Sequence, residues 1–234
     1  MKTVITGATK GIGKAIAEIF AREGADLAVC ARNENDLKEL QEELQKKYGI
    51  KVIYKATDVS KKAQVSAFAE YVKSEWQQVD VLVNNAGAYL PGDVHSEDDG
   101  TLEALIETNL YSAYHLTRAL LPLMLPHQKG HIFNMCSVAS LIALPGGGSY
   151  SISKFALLGF NKVLREEMKS QGIRVTAVMP GATWSHSWDA MKDQLPEHRL
   201  MKASDVAETL WNAYKISDQA VIEELVMRPQ LGDL

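Results

Sequence analysis

The feature that most constrains this chain is an alternation that runs its whole length. Short β-branched runs are separated by longer segments of helical periodicity. The runs lie at residues 3–6, 26–30, 52–55, 81–84, 131–135, 174–178 and 221–227. Several are apolar with little alternation, the pattern of strands buried on both faces. Between them, Ile12, Ala15, Ile16, Ile19 and Phe20 follow the 3.6-residue period, with Gly24 placed to end the helix. Val65, Phe68, Ala69, Val72 and Trp76 repeat the pattern, with Ser60 as the expected N-cap. Further helices are expected over 101–121, 150–170 and 204–215.

Strands alternating with helices predict a sheet with right-handed crossovers and helices on both faces. The expected fold is α/β: one doubly wound, Rossmann-type domain over residues 1–234, with a seven-stranded, mostly parallel sheet. A length of 234 residues permits one large domain or two small ones, and no linker, repeat or low-complexity tract divides it. The rhythm breaks only at 182–202, which holds Trp184 and Trp188 but no clear strand. A long irregular segment inside a domain is usually functional.

Composition narrows the class. Hydrophobic residues at 46% and charged residues at 23% are typical of globular chains and exclude disorder and collagen-like repeats. With 25 basic against 29 acidic residues there is no basic excess for nucleic acid. No apolar run approaches the roughly 20 residues needed to span a bilayer. The first residues run directly into a strand, so no signal peptide and a cytoplasmic location are expected. The two cysteines, Cys30 and Cys136, end apolar runs and are expected to be buried, reduced thiols. The six histidines show no metal-ligand spacing.

Thr6-Gly7-Ala8-Thr9-Lys10-Gly11-Ile12-Gly13 joins the first strand to the first helix. A doubly wound sheet binds a dinucleotide pyrophosphate at that place. Glycines let the backbone approach phosphates, and a helix N-terminus offers free N–H groups and a positive dipole end. The spacing is Gly-x-x-x-Gly-x-Gly rather than Gly-x-Gly-x-x-Gly. Asn84-Asn85-Ala86-Gly87 follows the fourth strand, and Asn109 falls inside the 101–121 helix. Ser137 ends the fifth strand, and Tyr150 and Lys154 follow thirteen and seventeen residues later. Pro180-Gly181 follows the sixth strand.

These motifs, in this order, resemble the short-chain dehydrogenase/reductase family over essentially the whole chain. The resemblance implies a nicotinamide-dependent oxidoreductase with Asn109, Ser137, Tyr150 and Lys154 as catalytic residues. Tyr150 and Lys154, four apart, share a helix face. A phenol is a poor acid–base catalyst at neutral pH, and an adjacent ammonium favours its ionised form. Tyr150 is thus the expected proton donor to a carbonyl oxygen, Lys154 its tuning group and ribose ligand. Ser137 would polarise the carbonyl, and Asn109 would anchor a water leading from Lys154 to solvent.

The cofactor residues implied are Gly7, Thr9, Lys10, Gly11, Ile12, Gly13, Ala31, Arg32, Asp58, Val59, Asn85, Ala86, Gly87, Tyr150, Lys154, Pro180, Gly181 and Thr183. No acid follows the second strand, where an NAD enzyme of this fold binds the ribose 2′-hydroxyl; Arg32 stands there instead. With Lys10 it points to a 2′-phosphate and hence to NADP(H). Asp58 has a competing reading as the residue leading into the next helix.

The Trp184…Trp188 loop and the C-terminal 221–234 segment resemble sepiapterin reductase-like bacterial members. Trp184, Trp188 and Asp233 are therefore candidate substrate contacts, with a pterin or another small ketone or diketone as substrate. A 3-oxoacyl-acyl-carrier-protein reductase is the alternative, and a non-catalytic NADP-binding regulator a remoter one. The helices bearing Asn109 and Tyr150 carry more apolar residues than one sheet face needs, which with the resemblance implies a homodimer or homotetramer.

Overall fold

In the computed structural model, which describes residues 1–184 and 199–232, each apolar run becomes a strand. The strands are β1 (Lys2–Thr6), β2 (Asp26–Ala31), β3 (Val52–Ala56), β4 (Val81–Asn84), β5 (Gly130–Met135), β6 (Ile173–Pro180) and β7 (Glu224–Met227). They form one sheet in the order β3-β2-β1-β4-β5-β6-β7. Every pairing among the described residues is parallel, in line with the expected seven-stranded, mostly parallel sheet.

The period-2 geometry of each strand sends alternate side chains to opposite faces. Ile5, Leu27, Val29, Val83 and Phe133 face α1 (Gly11–Arg22), α2 (Glu34–Tyr48) and α7 (Ala203–Lys215). Val4, Ala28, Leu82, Ile132 and Val175 face α3 (Lys62–Glu75), α5 (Ser112–Leu120) and α6 (Gly148–Met168). Both layers are closed by large buried side chains, such as Phe20 on one face and Phe68 on the other. Cys30 and Cys136 are free and buried as expected. Burial pushes both thiols up to about 12, which leaves them inert as nucleophiles.

Four sequence expectations are corrected. The 101–121 helix is not continuous: α4 (Thr101–Ile106) passes into a π-helical turn at Glu107–Tyr111 before α5 begins. Such turns recur at functional positions, and this one carries Asn109. Ser60 does not cap α3; Lys61 occupies that position, and the Ser60 hydroxyl donates to Asp58 Oδ1 at 2.8 Å. Helix α6 starts at Gly148, two residues earlier than expected, which sets Tyr150 in its first turn. The last strand is four residues, not seven. Its approach is held instead by Thr176 Oγ1, which donates to Ile222 O at 2.5 Å, and by Ala177 N, which donates to Glu223 O at 2.9 Å.

A buried polar chain fixes how α5 and α6 sit on the sheet. Asn84 Nδ2 donates to Asn134 Oδ1 at 2.8 Å and to Thr117 Oγ1 at 2.9 Å; Asn134 Nδ2 donates to Asn161 Oδ1 at 2.8 Å. These buried amide hydrogen bonds favour one register of α6 over β5, although Asn84 Oδ1 has no partner.

Candidate active site

The chain winds from β1 outward to β3, then returns to place β4 on the other side of β1. The loops leaving β1 and β4 therefore part, and the crevice between them at the carboxyl ends of the strands is where this sheet type takes ligands.

The glycine loop is built against the β4 exit. Thr6 Oγ1 accepts N–H from Asn85 at 3.0 Å and from Ala86 at 2.9 Å. Asn85 Nδ2 donates back to Thr6 O at 2.9 Å and Gly7 O at 3.1 Å. Gly7 has φ of +64° and Gly11 of +53°, a region costly for other residues. Gly13 serves close approach: a Cβ there would lie 2.1 Å from Gly7 O and 2.4 Å from Asn85 Nδ2. The N-cap of α1 is Lys10, which makes no side-chain cap, and the first turn holds no acid. An uncapped helix N-terminus behind a glycine turn fits a pyrophosphate.

The two candidate cations stand in the glycine loop and just after β2. Thr57 N donates to Ala31 O at 2.8 Å, joining the ends of β2 and β3. Arg32 follows, exposed, and has no carboxylate in ion-pair range among the described residues. Lys10 Nζ lies 3.7 Å from Asp36 Oδ2 in the first turn of α2, so part of its charge is already met. Asp58 Oδ1 accepts from Ser60 N at 3.0 Å and Ser60 Oγ. These bonds lie in the turn that leads into α3, where Asp58 has its competing reading as a helix-entry residue. Val59 packs on the core layer beneath α3.

At the end of β5, Ser137 opens a short 3₁₀ turn, Val138–Ser140. Its Oγ accepts from Ala139 N at 3.1 Å, which leaves its own O–H to donate elsewhere. Lys154 is only 5% exposed, and its Nζ donates to Met135 O at 2.9 Å while lying 5.8 Å from the Tyr150 ring centroid. Asn109, 1% exposed, ties the parts together. Its Oδ1 accepts from Ala88 N at 2.7 Å, and its Nδ2 donates to Ala88 O at 3.0 Å and Ser153 Oγ at 2.9 Å. Ser153 Oγ in turn donates to Tyr150 O at 2.7 Å. Both Nδ2 hydrogens are thus used in bracing the loop and α6. A Cβ on Gly87 would sit 3.1 Å from Asn109 Oδ1 and 3.4 Å from Lys154 Nζ, so the glycine after β4 admits both side chains.

On the far side, Thr183 Oγ1 donates to Gly181 O at 2.9 Å, beyond Pro180 at the end of β6. Gly181 N donates to Met227 O at 2.7 Å, and Trp184 N to Met201 O at 2.8 Å. These bonds hold residues 181–184 against Met201 and Met227, with Trp184 half-buried. Trp188 and Asp233 lie outside the described residues.

Four residues at the site are not among those expected from the sequence: Thr6, which clamps the glycine turn, Ser153, which links to Tyr150, Tyr89 beside Tyr150, and Glu97. The Glu97 carboxylate accepts from Ser149 Oγ in the first turn of α6, where negative charge is favoured. Ser153 and Thr6 carried a sequence signal, the first inside the Tyr150–Lys154 spacing and the second at the start of the glycine loop.

The model of the short chain dehydrogenase family matches residues 2–195. The chain belongs to that family. It is 32% identical to a sepiapterin reductase of Chlorobaculum tepidum, over 99% of this chain and 97% of that one. It is also 32% identical to the 3-oxoacyl-acyl-carrier-protein reductase FabG of Escherichia coli, over 93% and 90%. The structure superposes on an alcohol dehydrogenase of Thermococcus sibiricus, complexed with 5-hydroxy-NADP, at a TM-score of 0.90 and 29% identity, covering 98% and 96%. The chain is thus an oxidoreductase of the short-chain type. Among the described residues no helix is long and apolar enough to cross a membrane.

Proposed function

We propose that this enzyme reduces a carbonyl to an alcohol with NADPH, on a pterin side-chain ketone or another small ketone or diketone. The observation that carries the reading is the convergence at the end of β5. Ser137 has a hydroxyl hydrogen to give, Tyr150 stands in the first turn of α6, and the Lys154 ammonium lies beside the Tyr150 ring. Ser137 donates to the carbonyl oxygen and orients it. The Tyr150 hydroxyl passes its proton to that oxygen as it gains charge, and Lys154 stabilises the phenolate left behind. Asn109 is a positioning residue that holds Ala88 and, through Ser153, the backbone of Tyr150. NADPH, when bound, supplies the hydride.

For the cofactor, the glycine turn and the uncapped start of α1 suit its pyrophosphate. Arg32, exposed just after β2, suits a 2′-phosphate, with Lys10 of the glycine loop as a second cation. Gly87, Pro180, Gly181 and Thr183 would line its nicotinamide end. The equal identity to a 3-oxoacyl-acyl-carrier-protein reductase makes acetoacetyl thioesters the competing substrate class. The exposed apolar side chains Leu102, Tyr111, Tyr114, Ile152, Phe155 and Val163 on the α4–α5 and α6 faces support a homodimer or homotetramer.

The test is Tyr150→Phe assayed by NADPH oxidation across sepiapterin, diketones, aromatic ketones and acetoacetyl thioesters. The variant should bind NADPH as the wild type does and lose more than about a hundredfold in kcat. Turnover retained within tenfold refutes the assignment.

A further inference from the structure

Tyr89 lies outside every motif described, yet it meets the proposed proton donor directly. The Tyr89 and Tyr150 rings pack edge-on, with centroids 4.9 Å apart and planes at 89°. Its backbone is held from both sides. Before it, Asn109 takes both hydrogen-bonding groups of Ala88. After it, Gly92 N donates to Gly146 O, and Gly92 O accepts from Gly148 N, both at 2.8 Å. Only residues 89–91 lie between these two anchor points, so the backbone that carries the ring is held in place.

Tyr89, on this anchored backbone, is nonetheless 48% exposed. About half of the residue's surface stays open beside the contact with Tyr150. It is not alone: Leu90 beside it is 42% exposed, and Leu141 and Ile142 are 39% and 42% exposed. The last two follow the turn that Ser137 opens, and Ile142 N is anchored to Val138 O at 3.1 Å. Apolar side chains held on rigid backbone and left uncovered at an active-site mouth mark a surface that a ligand covers. Aromatic rings are well suited to this, because they bring large contact area at little cost in conformational freedom.

Resting on the carbonyl-reductase reading, we infer that Tyr89 is a specificity-determining residue. Its exposed face forms one wall of the substrate site, and a flat apolar substituent on the carbonyl carbon packs against it. The enzyme therefore prefers ketones bearing an aromatic or similarly planar group to small aliphatic ones.

Binding tests this separately from turnover. Acetophenone and diacetyl are titrated calorimetrically into protein saturated with NADP+, where no reduction can occur. This is done for the wild type, Tyr89→Phe and Tyr89→Ala, each checked for an unchanged melting temperature. Tyr89→Ala should weaken acetophenone about tenfold and diacetyl less than about twofold, and Tyr89→Phe should match the wild type for both. Equal weakening of the two ligands means that the ring only orients Tyr150, and overturns the proposal. So does no weakening of either, or failure of the wild type to bind acetophenone. Failure of the wild type to oxidise NADPH with any ketone would instead refute the reductase reading, and leaves the binding result to decide the role of Tyr89.

Discussion

His131, near the start of β5, makes the stability of this fold depend on pH in a calculable way. It has no exposure, and its ring stacks on Phe133 with centroids 3.8 Å apart. Nε2 lies 2.7 Å from Thr176 Oγ1, and that hydroxyl gives its own hydrogen to Ile222 O. Thr176 must therefore accept, His131 must donate from Nε2, and Nδ1 is bare. Nδ1 is buried and has no hydrogen-bond partner. Protonation would put an unmatched N–H and a charge into the core. Burial, reinforced by the Arg174 charge, pushes the imidazole down from 6.5 to about 2. Below about pH 6.5 the unfolded chain takes up a proton that the folded one refuses, so each further unit of acidification removes about 1.4 kcal/mol. The contribution is whole above that pH, and at pH 4.5 the loss reaches about 2.7 kcal/mol.

Other groups titrate over the same range, so the measurement is a difference. His131→Gln keeps an N–H donor for Thr176 but cannot protonate. Urea unfolding of wild type and variant at pH 7.5 and 4.5 gives the stability gap at each pH. The wild type should lose about 2–3 kcal/mol more than the variant on acidification. A gap that stays constant within about 0.5 kcal/mol would refute the reasoning, because it would mean that His131 titrates alike folded and unfolded.

Gly13→Ala forces a methyl to within 2.1 Å of Gly7 O; it should lower stability by about 1–3 kcal/mol and abolish the NADPH fluorescence titration, and a variant with wild-type melting and binding would contradict the packing role. Arg32→Asp should lower the NADP/NAD ratio of kcat/KM by about ten- to a hundredfold, the range for a lost charged hydrogen bond, whereas an unchanged ratio would remove Arg32 from the 2′-phosphate. Sedimentation at micromolar concentration should show a dimer or tetramer, since Phe155 and Val163 are 45% and 58% exposed on one helix face; a monomer would falsify that.

Strand placement was legible because the sheet is buried on both faces, so its strands read as unbroken apolar runs. β7 was overextended for the converse reason. It is an edge strand of mixed exposure, and Thr176 takes the carbonyl of Ile222, so no ladder forms there. The 101–121 helix reads as continuous because apolar periodicity does not register one extra residue in a turn. Asn109 was visible as a candidate, but its bracing of Ala88 and Ser153 joins positions 21 and 44 residues away.

What the sequence determined by itself was local and periodic. It set the alternation of strands and helices, the glycines that a tight turn before α1 demands, and the four-residue spacing that puts Tyr150 and Lys154 on one side of α6. It also set the absence of an acid after β2. What only the tertiary structure decided was which distant groups touch. The Thr6–Asn85 clamp, the Lys154 contact with Met135 O, the bare Nδ1 of His131 and the ring of Tyr89 against Tyr150 all depend on how the layers pack. The physical reason is range. Propensity and periodicity act over a few residues, whereas hydrogen bonds and ring contacts between loops form only once the sheet has brought its carboxyl edge together.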